Sequence, residues 1–293
     1  MERNTHRFGP GLIILAGCFW GSMGIFVRKL ASFGFSSIQI VSIRVTLAAL
    51  FFCALLLVVE RSGFRIAPGD IPLFLGLGFG SILFFTVCYF TAITMMPLST
   101  AAILLSSPIW IMLMSVLLFH EAMDKRKLLA LLLAFLGCVL VSGISGGELT
   151  LTGLLIGLGS GLGYGLYSIL GTIALRRYSP YTVTAYTFLL AALGSWLICR
   201  PTAMLSIFAH ATNLTALVLL CCLTALMTAV IPFLSYTVGL RTVEASRAGI
   251  LATIEPMVAA LVGILVFSEP LTLLSALGIL LILAAAVLLN WKE

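Results

Sequence analysis

Apolar runs of roughly twenty residues, separated by short polar breaks, recur about ten times along this chain, and no other feature restricts its fold as much. A helix of that length crosses the hydrocarbon of a bilayer and satisfies its own peptide groups, whereas a spanning barrel needs strict in–out alternation. No such alternation appears. The runs lie near 10–30, 36–59, 71–94, 98–119, 126–144, 151–174, 180–200, 213–238, 246–267 and 271–290. The residues are 61% hydrophobic and 9% charged, against about a quarter charged in a soluble domain, which excludes an ordinary globular protein. The expected fold class is therefore an all-α integral membrane protein of ten transmembrane helices, with the lipid bilayer as its solvent.

The formal net charge is +6, but the basic residues stand singly or in short groups between apolar runs, so they read as topology signals rather than as a nucleic-acid surface. With the amino terminus inside, the inner segments carry Arg3, Arg7, Arg61, Arg65, Lys125, Arg126, Lys127, Arg176, Arg177, Arg241, Arg247 and Lys292. The outer segments carry only Arg28, Lys29 and Arg200. This bias predicts both termini in the cytoplasm; the expected location is the bacterial cytoplasmic (inner) membrane, crossed many times. Leu15-Ala16-Gly17-Cys18 has the form of a lipoprotein cleavage box, yet FWGSMGIF follows it and the apolar segment before it is short, so the first helix is expected to be retained. Seven cysteines (Cys18, Cys53, Cys88, Cys138, Cys199, Cys221, Cys222) lie in apolar runs without ligand spacing and are read as packing residues. No metal and no cofactor is expected.

The halves 1–146 and 147–293 resemble each other. PIWIMLMSVLLFHE (108–121) aligns with PMVAALVGILVFSE (256–269), and RVTLAAL (44–50) aligns with TFLLAAL (187–193). Five spans per half is an odd number, so the second copy enters the membrane from the opposite side. Such inverted repeats commonly enclose a substrate site near the bilayer midplane. Trp20-Gly21, Arg44 before LAAL, Pro97, Ser99, Pro108, Glu121, Glu255-Pro256 and Glu269 follow in an order that resembles the drug/metabolite transporter superfamily, specifically its ten-helix EamA-like members. That resemblance implies ten helices around a central cavity, and export of amino acids, related metabolites or drugs. The first and sixth spans lack the membrane-embedded glutamate of the small four-helix multidrug relatives, so their proton-exchange mechanism does not carry over directly.

Two charges inside spans are the leading candidates. Glu255 lies eight residues after Arg247 and Arg44 eight after Ser36, each about 12 Å beyond its boundary at the helical rise. An acid at that depth costs roughly 2.5–3.5 kcal/mol on insertion scales and should face protein or a wet cavity. Glu255 either bonds a neighbouring helix near the Pro256 break, or contacts substrate or a coupling proton. Arg44 pairs with Glu255, receives a substrate carboxylate, or bonds backbone. Arg44 corresponds to Thr187 in the repeat and Glu255 to Ser107, with one extra residue before Glu255, so each charge is an asymmetry added to one copy. Trp20, Tyr89, Trp110, Tyr164, Tyr167 and Tyr236 fall inside spans and as a set favour an amphipathic pocket, although any single ring could serve packing or lipid contact.

Gly153, Gly157, Gly161 and Gly165 recur at four-residue steps, and Gly17 and Gly21 form a shorter version. Such a stripe lets another helix approach closely. Glu121 and Glu269 end their spans just before Asp124 and Thr272, plausible caps for the next helices, and are read as structural. His6, His120 and His210 fall at termini or loops, where a solvated side chain is the default. These features favour a secondary transporter that binds a small-molecule substrate and works by alternating access. A nucleotide-sugar or sugar-phosphate exchanger would want several basic residues in the cavity, and only Arg44 is clearly intramembrane. A membrane-embedded transferase would need clustered acid, base or metal ligands. A receptor or assembly scaffold is the remaining class.

Overall fold

Side-chain caps fix where several helices begin. Ser36 and Gln39 form a reciprocal capping box at the start of one helix, Asp124 accepts from the backbone N–H of Lys127 (2.7 Å), Thr150 from that of Gly153 (3.1 Å) and Asn213 from that of Ala216 (2.9 Å). Ser179, followed by Pro180 in the first turn, starts another. The computed structural model describes residues 2–95, 104–105, 109–142, 150–199, 201–268 and 272–290. In chain order the helices are α1 (Glu2–Gly21), α2 (Met23–Ala31), α3 (Ser37–Val59), α4 (Ile71–Leu75), α5 (Phe84–Met95), α6 (Ile109–Phe119), α7 (Lys125–Ser142), α8 (Leu151–Ala174), α9 (Pro180–Ile198), α10 (Pro201–Ala209), α11 (Leu214–Ala225), α12 (Ile231–Gly239), α13 (Ala245–Ala252), α14 (Ile254–Phe267) and α15 (Leu273–Asn290). Among the described residues there is no strand.

Among the described residues, seven helical stretches are long and apolar enough to cross a membrane: Phe8–Ala31, Ser37–Val59, Pro68–Tyr89, Leu151–Ala174, Pro180–Ile198, Leu214–Gly239 and Ala245–Phe267. Trp110–Phe119 and Leu273–Leu289 are shorter apolar helices. Outward-facing Val58, Leu151, Leu197, Leu265 and Leu273 are among the most exposed side chains. An apolar exterior of this kind, wrapped round a core holding Ser42, Thr184, Thr187, Thr224 and Thr228, suits lipid as the surrounding solvent. Those buried hydroxyls mostly bond back along their own helices, as Thr184 does to the carbonyl of Pro180 and Thr228 to that of Thr224.

Several expected spans are interrupted. Pro256 has no N–H to give the carbonyl of Ala252, and the ninth stretch breaks at Thr253 into α13 and α14. The first breaks at Ser22, whose hydroxyl turns back to the carbonyl of Phe19 (2.8 Å). Two stretches contain π-helical segments, Gly76–Leu83 between α4 and α5, and Leu226–Val230 between α11 and α12. The second lies just before Pro232, which cannot close a normal turn. The short helix α10 occupies part of what the sequence presents as a connection.

Packing runs between the halves. The α1 helix lies against α12, α13 and α14, while α8 lies against α5, α6 and the Gly76–Leu83 segment. Helix α3 packs on α9, and α7 on α15. Loop contacts join four polar connections at one end. Tyr178 accepts from the Ala67 N–H (3.0 Å), Arg177 reaches Asp70 (3.0 Å), Lys127 pairs with Glu244, Ser246 donates to Glu121, and Arg176 lies over the Phe119 ring. Residues 143–149, which hold most of the connection between halves, lie outside the described residues.

Candidate functional site

The site lies at the break at Thr253, with Glu255 in the first turn of α14. Glu255 lines a small internal cavity with Leu105, Tyr164, Gly249, Ala252 and Thr253, barely roomy enough for one water. Arg44, on α3, is buried at 6% exposure. Its Nη1 donates to the Met23 sulfur (2.9 Å), and its Nε has no hydrogen-bond partner. Arg44 and Glu255 lie within electrostatic reach of each other, yet neither an ion pair nor a hydrogen bond joins them. Glu255 is also the charged neighbour of Tyr89, Cys138 and Tyr164. Opposite charges left unjoined in a dry interior are costly, and the attraction is repaid only when further groups complete them.

An aromatic wall stands beside this pair. Trp20 contacts Tyr164 (6.0 Å, edge-on), Phe233 (5.0 Å, edge-on) and Tyr236 (5.4 Å), and Phe233 in turn meets Tyr167 (5.1 Å) and Phe188 (4.9 Å). Edge-to-face packing of this kind fixes ring orientation as well as burying area. The wall is bonded internally, Tyr167 to Thr237 and Ser168 to Tyr236. The Tyr164 hydroxyl is buried without a partner. A buried donor left unpaired costs about 1–3 kcal/mol. Together the site offers one cation, one anion, a free phenol and an apolar face.

Close helix approach builds the floor. A side chain on Gly21 would stand 2.5 Å from the carbonyl oxygen of Glu255, and one on Gly17 would run into Ile254. Across the molecule, side chains on Gly157 and Gly161 would run into Leu104, and one on Gly165 into Met114 (2.8 Å). Both glycine stripes therefore let the helix carrying them touch a helix of the other half.

The sequence profile of the EamA-like transporter family matches residues 7–143 and again 151–291. The chain belongs to the EamA-like transporter family. An "uncharacterized transporter" of Archaeoglobus fulgidus is 33% identical over 98% of this chain and 97% of its own length, and a second from the same organism is 24% identical over 91% and 93%. A solved crystal structure superposes with a TM-score of 0.77 at 18% identity, covering 96% of this chain and 95% of that one, which shows the same fold. The protein is thus a multi-pass membrane transporter of small substrates.

In this EamA-like transporter, Trp20, Tyr164, Tyr236, Tyr89, Arg44 and Glu255 come together around one interior region. Trp110 instead packs on the glycine stripe of α8, its ring 3.1 Å from where a Gly161 side chain would begin. Thr187 is fully buried on α9, its hydroxyl unpaired and its carbonyl against Gly78 of the π segment. Ser107 lies outside the described residues, as do Pro97, Ser99, Pro108 and Glu269. Gly153 is buried on the α8 stripe. Sequence reasoning missed Phe233 and Met23. Phe233 sits three residues before Tyr236 and so shares its helix face, a signal that was available; nothing in the sequence marks Met23 as the neighbour of Arg44.

Proposed function

We propose that this protein is a secondary active transporter that exports amino acids or related small metabolites and drugs across the cytoplasmic membrane by alternating access. The observation that carries the reading is the unjoined pair of buried Arg44 and half-buried Glu255 beside the unpaired Tyr164 hydroxyl. An amino acid supplies a carboxylate for Arg44 and an ammonium for Glu255. Its side chain fits the Trp20–Tyr236 wall. Glu255 is also the group placed to exchange a coupling proton when substrate leaves. The cavity holds no more than a water in this form, so loading requires the helices around it to part, which is what alternating access provides.

Ten spans in two inverted five-helix repeats, 1–146 and 147–293, are part of the same proposal. Support comes from the twofold match of the family profile, the reciprocal packing of α1 and α8 on the other half, and a π segment in each half. The loops joined at one end carry Arg61, Arg65, Lys125, Arg126, Lys127, Arg176, Arg177 and Arg241, which favours that end as cytoplasmic.

The test is flux in proteoliposomes over a panel of amino acids, metabolites and drugs, with and without a pH gradient. Saturable flux of a zwitterion supports the reading. Flux of none of the panel, or equal flux in protein-free vesicles, removes it, and flux indifferent to the gradient removes the proton role of Glu255.

A further inference from the structure

The two halves close their aligned apolar stretches in the same way. Phe119-His120 ends α6 and Phe267-Ser268 ends α14, and His120 (φ 54°) and Ser268 (φ 55°) are the non-glycine residues with left-handed backbone among those described. Over each phenylalanine lies an arginine of the opposite half. The Arg28 guanidinium stands 4.0 Å from the Phe267 ring centre, and that of Arg176 stands 5.4 Å from the Phe119 ring centre. Arg28 is in the last turn of α2, and Arg176 follows the end of α8. The contacts sit at opposite ends of the molecule. Arg28 precedes α3, while the neighbours of Arg176, Arg177 and Tyr178, bind Asp70 and Ala67 beyond its far end; the 23 residues of α3 span about 35 Å.

We propose that Arg28–Phe267 and Arg176–Phe119 are the two gating contacts of the transport cycle, each closing one mouth of the central site and released in alternation. This rests on the alternating-access reading above. Both arginines are exposed and both rings half-buried, so each contact biases the state it holds by about two- to fivefold. That is weak enough to break in every cycle. With both made, the cavity beside Glu255 has space for about one water, as a doubly closed form requires. The Arg176 end is also held by Ser246–Glu121 and Lys127–Glu244.

Hydrogen–deuterium exchange on the full chain in lipid nanodiscs tests this without any substrate. Arg28→Ala and Phe267→Leu should raise exchange about two- to fivefold in peptides spanning 23–36 and 260–268, and lower it in those spanning 119–127 and 175–182. Arg176→Ala and Phe119→Leu should shift both ends in the reverse sense. The leucine variants keep apolar bulk and remove only the ring face, which separates loss of the contact from misfolding. Change confined to the mutated end, or none, overturns the proposal. Flux is read separately: reciprocal exchange in a protein that moves no solute removes the transport reading and leaves the paired contacts, while flux with local exchange alone removes only the gates.

Discussion

The Tyr167 hydroxyl lies 2.6 Å from Oγ1 of Thr237, and one residue further along α8 the Ser168 hydroxyl lies 2.7 Å from that of Tyr236. These two bonds tie α8 to α12 inside the core, and the Tyr236 ring then rests on Trp20. Thr237 also donates to the Phe233 carbonyl (2.7 Å), so Tyr167 is the donor in its pair.

Losing one partner of such a pair strands the other. Tyr236→Phe leaves Ser168 buried and should cost about 1–3 kcal/mol, whereas Tyr167→Phe removes one acceptance from a threonine still bonded and should cost about 0.5–1.5 kcal/mol. Thermal unfolding in one detergent checks the order. The double variant Ser168→Ala with Tyr236→Phe should lose less than the two single losses added together.

Gly21→Ala places a methyl against the backbone of Glu255 and should destabilise by about 1–3 kcal/mol and reduce transport, because α1 must move away from the break at Thr253. Gly24→Ala is the control. Nothing lies within 4 Å of a side chain there, so stability should hold or rise slightly. Equal effects at the two positions in paired unfolding and flux assays would contradict close packing as the reason for glycine.

Much of the helical frame was legible because its signals are local. Apolar length marked the spans, and Asp124 and Thr272 were legible as caps; Ser36, Thr150, Ser179 and Asn213 cap starts that apolar length alone bounded in the sequence. Pro256 marked the break that falls at Thr253, whereas the break at Ser22 and the π segments were not read, although Pro232 stands beside one of them, because periodicity averages over a missing backbone bond. At the site, Arg44 and Glu255 stood out as charges in apolar runs. Their partners did not, since Met23 and Phe233 look like ordinary packing residues and only tertiary contact gives them a place.

Leu132 on α7 is 51% exposed, on a helix whose opposite face buries Ala130 and Ala134. Leu132→Arg should cost roughly 2.5–3.5 kcal/mol at mid-membrane depth and lower the amount of protein inserted. Insertion yield by membrane fractionation checks this. Wild-type yield would mean that this face meets water.

Outside the spans, the Tyr178 hydroxyl donates to Asp70 (2.7 Å) and accepts from the Ala67 N–H. The bond to Asp70 holds the Tyr178 phenol above its ordinary range. A raised folded value means that the contribution is complete below the unfolded value, near 10, and is lost as pH climbs through the folded one. Asp70→Asn should therefore lower the Tyr178 midpoint, read as the difference in absorbance titration between proteins with and without Tyr178→Phe. An unchanged midpoint would sink the assignment.

Counterflow of the best panel substrate in proteoliposomes addresses the central pair most directly. Arg44→Ala and Glu255→Gln, reconstituted at equal amounts and folded by size-exclusion and thermal unfolding, should each exchange at least about tenfold more slowly than wild type, the loss expected when a charge is left unpaired by roughly 1.4 kcal/mol or more. Wild-type rates in both variants would contradict a substrate site built on Arg44 and Glu255.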